Sequence, residues 1–241
     1  MTRFGLGTSR RTGRTPMRWM RRIALIVFVL LVALPVLALL LFRFLAVPAT
    51  PQMILSWAEG KGAHHDWEGW DDISPYLSRA VIESEDQNFC SHRGFDWGSI
   101  NKAVRAYDEG ARLRGASTIS QQTARSLFLP PSRSWIRKGV EAWLTVLMET
   151  FWPKQRILTV YLNIVDWGHG NFGAEAASRA YFHKSADSLT VSQAARLAAI
   201  LPDPDDWRAQ HPGPYVKHRS TTLVSRMAEV RRDNLESCLR R

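Results

Sequence analysis

A mainly α-helical fold is predicted by three features of the sequence. Apolar residues recur at helical spacing along most of the chain, capping signals precede several of the periodic runs, and strand-like alternation is scarce. The length of 241 residues with 45% hydrophobic content suits one membrane segment plus one domain large enough to bury a core.

The net charge of +10 is unevenly placed. Residues 1–22 hold seven arginines (Arg3, Arg10, Arg11, Arg14, Arg18, Arg21 and Arg22) and no acid, which leaves only +3 for the rest. The basic tail abuts an uncharged apolar block, Ile23 to Phe42, so membrane topology explains the charge better than nucleic acid does. About 20 apolar residues cross a bilayer as a helix. Arginines before the block predict a cytoplasmic N-terminus and an exported remainder. A cleaved signal peptide is the alternative, but its apolar core is usually only about 7–15 residues. Pro35 is a candidate kink.

Residues 43–75 read as a linker and approach segment with Pro48, Pro51, Trp57, Trp67 and Trp70. The tryptophans suit either a membrane interface or the base of the domain. Helical periodicity starts at Pro75 and runs toward Phe89. Gly98 to Gly115 carries mixed charges and reads as a mobile lobe. A helix is expected from Ser117 to Leu129, closed by Pro130 and Pro131. Ile136, Val140, Trp143, Leu144, Leu147, Met148 and Phe151 form a helical stripe behind the candidate cap Ser134, with Pro153 as its stop. Further helices follow over Gln155 to Asn163 and over AEAASRAYF. Thr190 and Gln193 form a capping-box signature before AARLAAIL. The basic stretch from Lys217 to Arg241 reads as a last amphipathic helix. Two cysteines, Cys90 and Cys238, do not make a disulfide framework and are read as free or buried.

Three segments could carry chemistry. Ala80 to Trp97 concentrates Glu83, Glu85, Asp86, His92 and Asp96 beside apolar residues, a setting that tunes carboxylates for proton transfer; a solvated helix end is the plainer reading. Gly115 to Leu129 packs hydroxyls and amides that suit a sugar, or simply a capped helix with a polar face. Arg137 and Lys138 precede Glu141 by four and three residues, which on a helix makes either a surface ion pair or a phosphate site with its cations held by a carboxylate. Gly168, Gly170 and Gly173 match a dinucleotide fingerprint, but no alternating α/β pattern surrounds them. The seven histidines show no zinc spacing, so no metal ligands are assigned.

In this order the segments resemble the peptidoglycan glycosyltransferase family, whose module also stands at the front of class A penicillin-binding proteins. Glu85, Asp86, Phe89, His92, Gly94 and Asp96 are similar to its E-D-x-x-F-x-x-H-x-G-x-D motif. Gly115, Ser117, Thr118, Ile119, Gln121 and Gln122 resemble G-G-S-T-I-T-Q-Q, and Arg137, Lys138 and Glu141 resemble R-K-x-x-E. Tyr161 to Asn163, the glycine loop, AEAA and Leu197 to Pro204 extend the resemblance over about residues 70 to 205. Ala116 replaces the second glycine, Ser120 a threonine, and Thr123 a usually apolar residue.

The resemblance implies a lysozyme-like helical glycosyltransferase domain with a membrane-proximal lobe. It divides the chain into a cytoplasmic basic tail (1–22), a transmembrane anchor (23–42), a linker and membrane-proximal segment (43–69) and a periplasmic catalytic domain (70–241) of the bacterial inner membrane. The implied reaction joins lipid II units into β-1,4 glycan strands with inversion and release of undecaprenyl pyrophosphate, in cell-wall biogenesis and cell shape. Glu85 is then the base and Glu141 the second essential carboxylate. Asp86, Ser117, Thr118, Gln121, Gln122, Arg125, Arg133, Arg137 and Lys138 are the substrate contacts. No cofactor is required, and a divalent cation (Mg or Mn) is a candidate at the pyrophosphate. The partners are lipid II as donor and acceptor and the inner membrane, with cell-wall or division proteins as further candidates and no nucleic acid. Moenomycin, the family's phosphoglycolipid inhibitor, is expected to bind. The single S-x-x-K, at Ser99 to Lys102, lacks a K-T-G partner, and the stretch after Pro202 is too short for a transpeptidase domain. The rivals are a lysozyme-like lytic enzyme and a non-enzymatic bitopic scaffold.

Overall fold

The computed structural model describes residues 15–110, 117–132 and 134–239; Arg3, Arg10, Arg11, Arg14, Gly115, Ala116 and Arg133 lie outside the described residues. The chain divides into two compact units, Met1–Ala38 and Leu39–Arg241.

The N-terminal helix begins before the apolar block. Helix α1 (Thr15–Phe28) runs through a π-helical turn, Val29–Ala33, into α2 (Leu34–Phe42). Pro35 brings no N–H and its ring crowds the carbonyl one turn back. The widened turn, in which the Leu34 N–H reaches the Val29 carbonyl, relieves that crowding without breaking the helix. Met17–Phe42 forms 26 helical residues, about 39 Å at 1.5 Å per residue, enough to cross a hydrocarbon core of about 30 Å. Its side chains are mostly exposed, so this apolar surface is not used for a protein core. It fits a single-pass membrane anchor.

The second unit contains α3 (Pro51–Ala58), β1 (His64–His65), α4 (Pro75–Glu85), α5 (Trp97–Asp108), α6 (Ile119–Phe128), α7 (Trp135–Phe151), α8 (Lys154–Ile164), β2 (Asn171–Phe172), α9 (Ala174–Phe182), α10 (Val191–Ile200) and α11 (Pro214–Arg232). β1 and β2 pair in parallel, His64 opposite Asn171 and His65 opposite Phe172. Segment 43–69, read as a linker, therefore holds a helix and a strand. The Thr50 hydroxyl accepts from the Met53 N–H and Pro51 occupies the first turn, a capping arrangement that starts α3. The tryptophans divide: Trp57 is exposed, while Trp67 and Trp70 pack against the core.

Two helix groups frame the site. α4 packs against α10 and α11, and α6 packs against α7 and α8. On α4, Leu77, Ala80, Val81 and Ile82 are wholly buried, leaving Ser84 and Glu85 at its C-terminal end at the edge of the core. Phe89 plugs the turn after α4. Ser134 caps α7 through the Arg137 N–H, and Thr190 with Gln193 forms a complete capping box on α10. α11 ends at Arg232, short of the expected Arg241, and turns follow it.

The expectation of free cysteines is overturned: Cys90 and Cys238 form a disulfide across 148 positions. The two meet because the C-terminal segment folds back along α4, where Glu236 receives a bidentate contact from Arg79 at 2.9 to 3.0 Å. Spacing alone does not reveal such a return. We expect Cys238→Ser to lower the unfolding free energy by about 2–4 kcal/mol, as measured by urea denaturation, with reductant producing the same shift in the parent chain.

The glycine-rich loop follows the helix α8, not a strand, so it is no dinucleotide site. Gly168 and Gly173 have φ of 90° and 88°, and a Cβ on them would lie 2.0 Å from the Pro204 carbonyl oxygen and 2.4 Å from that of Asn163. These glycines permit close backbone packing.

Candidate active site

Glu85 is the last residue of α4. Its Oε1 accepts from the Ser84 hydroxyl at 3.1 Å and its Oε2 from the Gln122 amide at 3.1 Å. The Tyr161 hydroxyl donates to Gln122 Oε1 at 3.2 Å, which fixes the amide so that its NH₂ faces Glu85. Burial, reinforced by the Glu85 charge, pushes the Tyr161 phenol well above its ordinary pKa, so it remains a donor. Arg219 of α11 lies 3.9 Å from Glu85 Oε1.

Asp86 has turned inward. Its carboxylate accepts from His92 Nε2 at 2.9 and 3.1 Å and from the Ile119 backbone N–H at 2.9 Å, joining the loop after α4 to the start of α6. A second stitch runs from the Thr118 hydroxyl to the Gly94 carbonyl at 2.6 Å. Gly94 (φ 86°) is pressed against α7, where a Cβ would approach Thr145 Cγ2 to 2.9 Å. Thr118 and Gln121 form the capping box of α6. The Asp86 carboxylate, the Thr118 hydroxyl and the Gln121 amide oxygen, all on residues expected at the substrate, thus have partners within the protein.

Asp96 caps α5 through the Ser99 N–H at 2.9 Å and accepts from Asn88 at 2.8 Å. Bonds from Asn88 and Ser99 hold its pKa down at about 2. A depressed carboxylate contributes stability above its unfolded pKa of about 3.9 and loses it as pH falls toward the folded value. Asp96→Ala is expected to cost about 1 kcal/mol at neutral pH, a difference from the parent that shrinks between about pH 4 and pH 2; thermal unfolding across that range checks it.

A cavity of about 300 Å³ is lined by Glu85, Asn88, Asp96, Ser99, Ser117 and Thr118, among others. Another of about 410 Å³ is lined by Gln52, Arg125, Ser126, Pro131, Ser132 and Arg137. Helix α6 connects them, since it carries Gln122, which touches Glu85, and Arg125 one turn later. Arg137 in turn leads to Glu141, which is 1% exposed and paired with Arg137 at 3.1 Å and with Lys138. Glu141 is therefore linked to the second cavity through Arg137. Among the described residues no group of three His, Cys, Asp or Glu side chains is arranged to hold a metal ion.

Residues 52–228 match the family model described as transglycosylase. The chain belongs to the transglycosylase family. It is 49% identical over 227 residues to a biosynthetic peptidoglycan transglycosylase of Caulobacter vibrioides, covering 94% of this chain and 99% of that one. Over 223 residues it is 46% identical to one of Rhodospirillum centenum, covering 92% and 96%. A third, from Klebsiella oxytoca, is 49% identical over 198 residues, covering 79% and 82%. This transglycosylase is thus an enzyme of peptidoglycan synthesis with the expected lysozyme-like, mainly helical domain.

Two residues of this transglycosylase's site were not singled out from the sequence. Tyr161 was visible only as part of a Tyr-Leu-Asn run, and Arg219 only as one basic residue of a helical tail. For Arg219 no local signal exists, because its partner lies 135 positions away.

Proposed function

We propose that the enzyme polymerises lipid II into β-1,4-linked glycan, with inversion at the donor carbon and release of undecaprenyl pyrophosphate. The observation that carries this reading is a cavity lined by Glu85 together with Glu83, Asp86 and Asp96, beside a second cavity lined by Arg125 and Arg137. Glu85 accepts the proton of the acceptor 4-hydroxyl while that oxygen attacks the donor C1 and the C1–diphosphate bond breaks. A base so placed contributes roughly 10²- to 10⁴-fold in rate. Arg125, Arg137 and Lys138 stabilise the departing diphosphate by preorganised charge, and Arg133 joins them by its place in the sequence. Glu141 holds two of these cations in place.

Ser117 and Gln122 face the sugar, whereas Asp86, Thr118 and Gln121 support the cleft wall. No protein-bound cofactor is needed in this scheme. Arginine and lysine offer donors and no lone pair to a metal, so a magnesium or manganese ion would be carried by the diphosphate itself. The anchor helix keeps the enzyme in the plane of its lipid substrates. A periplasmic domain at the inner membrane agrees with the arginines preceding that helix and with a disulfide, which persists in oxidising compartments. Cell-wall or division proteins remain candidate partners on the resemblance alone.

The test is incubation of the purified full chain with labelled lipid II. A ladder of glycan products resolved by electrophoresis is expected. Cleavage of preformed glycan without a ladder would instead mark a lytic enzyme.

A further inference from the structure

We propose that Arg219 is a positioning residue for Glu85 and acts through the Ser84 hydroxyl. This inference rests on the reading of Glu85 as the proton acceptor.

The Ser84 oxygen has three polar neighbours. Arg219 Nη2 lies at 2.8 Å, Glu85 Oε1 at 3.1 Å and the Ala198 carbonyl oxygen at 3.1 Å. A guanidinium only donates, so Ser84 must accept from Arg219. Its single proton then goes to Glu85 or to Ala198. Ionised Glu85 attracts that proton, because a bond to a carboxylate is stronger than one to a neutral carbonyl. Once Glu85 has taken a proton from the acceptor sugar, the attraction weakens and the Ser84 hydroxyl can turn to Ala198 O. No covalent bond of Ser84 changes. The serine oxygen stays fixed by Arg219 through both states, and only its hydrogen moves. The other side of the carboxylate is held by Gln122, itself oriented by Tyr161. Arg219 is the only cation paired with Glu85 within 4 Å among the described residues. It reaches the site from α11, a helix outside the three motif segments, and the nitrogen that donates to Ser84, Nη2, is the same one that lies 3.9 Å from Glu85 Oε1.

A purely structural role is the competing explanation, since Arg219 also joins α11 to α4. Arg79 supplies the control. Its bidentate contact with Glu236 ties the C-terminal segment to the same helix, away from Glu85. Arg219→Gln, Arg219→Lys, Arg79→Gln, Ser84→Ala, the double variant Arg219→Gln/Ser84→Ala and Glu85→Gln are compared on lipid II, with melting temperatures recorded. Arg219→Gln is expected to lower kcat at least tenfold with KM within twofold of the parent. Arg79→Gln should shift the melting temperature comparably and leave kcat intact. Arg219→Lys, which restores a donor and a charge, should recover part of the loss. The double variant should be no worse than the poorer single one, because both remove the same bond. Equal kcat losses in Arg219→Gln and Arg79→Gln, or an effect on KM alone, would overturn the positioning role while Glu85→Gln remains inactive. An active Glu85→Gln would instead remove the reading on which the inference stands.

Discussion

Glu85→Gln is expected to fold with the parent's melting temperature within a few degrees and to lose glycan polymerisation by roughly 10²- to 10⁴-fold, the usual contribution of a positioned general base. Glutamine is nearly isosteric. Its carbonyl oxygen can accept from Ser84 or Gln122, so the local packing at the end of α4 survives. An amide nonetheless cannot take the proton that the acceptor hydroxyl must lose. The loss should lie in kcat, since Glu85 is one of several groups lining its cavity and acts at the moment of transfer. Circular dichroism and a lipid II time course together read out both halves of this expectation.

Glu141→Gln should produce the second largest effect, with a different signature. Both oxygens of Glu141 are committed to Arg137 and Lys138, and its side chain is 2% exposed. The amide turns an NH₂ group toward one of two cations and leaves a +2 cluster without its counter-charge. Catalysis is expected to fall by about 10²- to 10³-fold, as when a preorganised electrostatic donor is lost. The stability cost should be roughly 1–3 kcal/mol, below the usual penalty for breaking a fully buried pair, because Arg137 and Lys138 retain access to water. Activity assays and thermal unfolding of the same preparation separate the two. A collapse of the melting temperature would make Glu141 a structural residue.

What the sequence disclosed was mostly local. The Ser134 cap and the Thr190–Gln193 box are each written within four residues, and both appear as expected. The same code is present at Thr118 and Gln121, in a segment that reads either as sugar-facing or as a capped helix, and the capping box forms there. A hydroxyl and an amide three residues apart have the same composition in either role. Only the backbone geometry shows that the capping role is filled. The Thr50–Pro51 start of α3 is equally local, although it lies in a stretch that reads as a linker.

The remaining features depend on return of the chain. Asp86 staples to the Ile119 N–H, Gly94 receives Thr118, and Cys90 meets Cys238. Each of these contacts joins segments whose separation carries no periodic signal. The motif residues are thus legible as a set, whereas which of them are buried, paired or at a cavity edge requires the fold. Glu141 illustrates the difference. Its spacing from Arg137 and Lys138 is readable as a helical ion pair, but its near-complete burial is not.

The most direct test of an inverting transfer assisted by Glu85 is the anomeric configuration of the newly made linkage, read by NMR on glycan produced from lipid II with an α-linked diphosphate. A β linkage is predicted, because a base-activated hydroxyl attacks the face opposite the leaving group. An α linkage would mean retention at the donor carbon, and Glu85 could not then be the base of a single displacement.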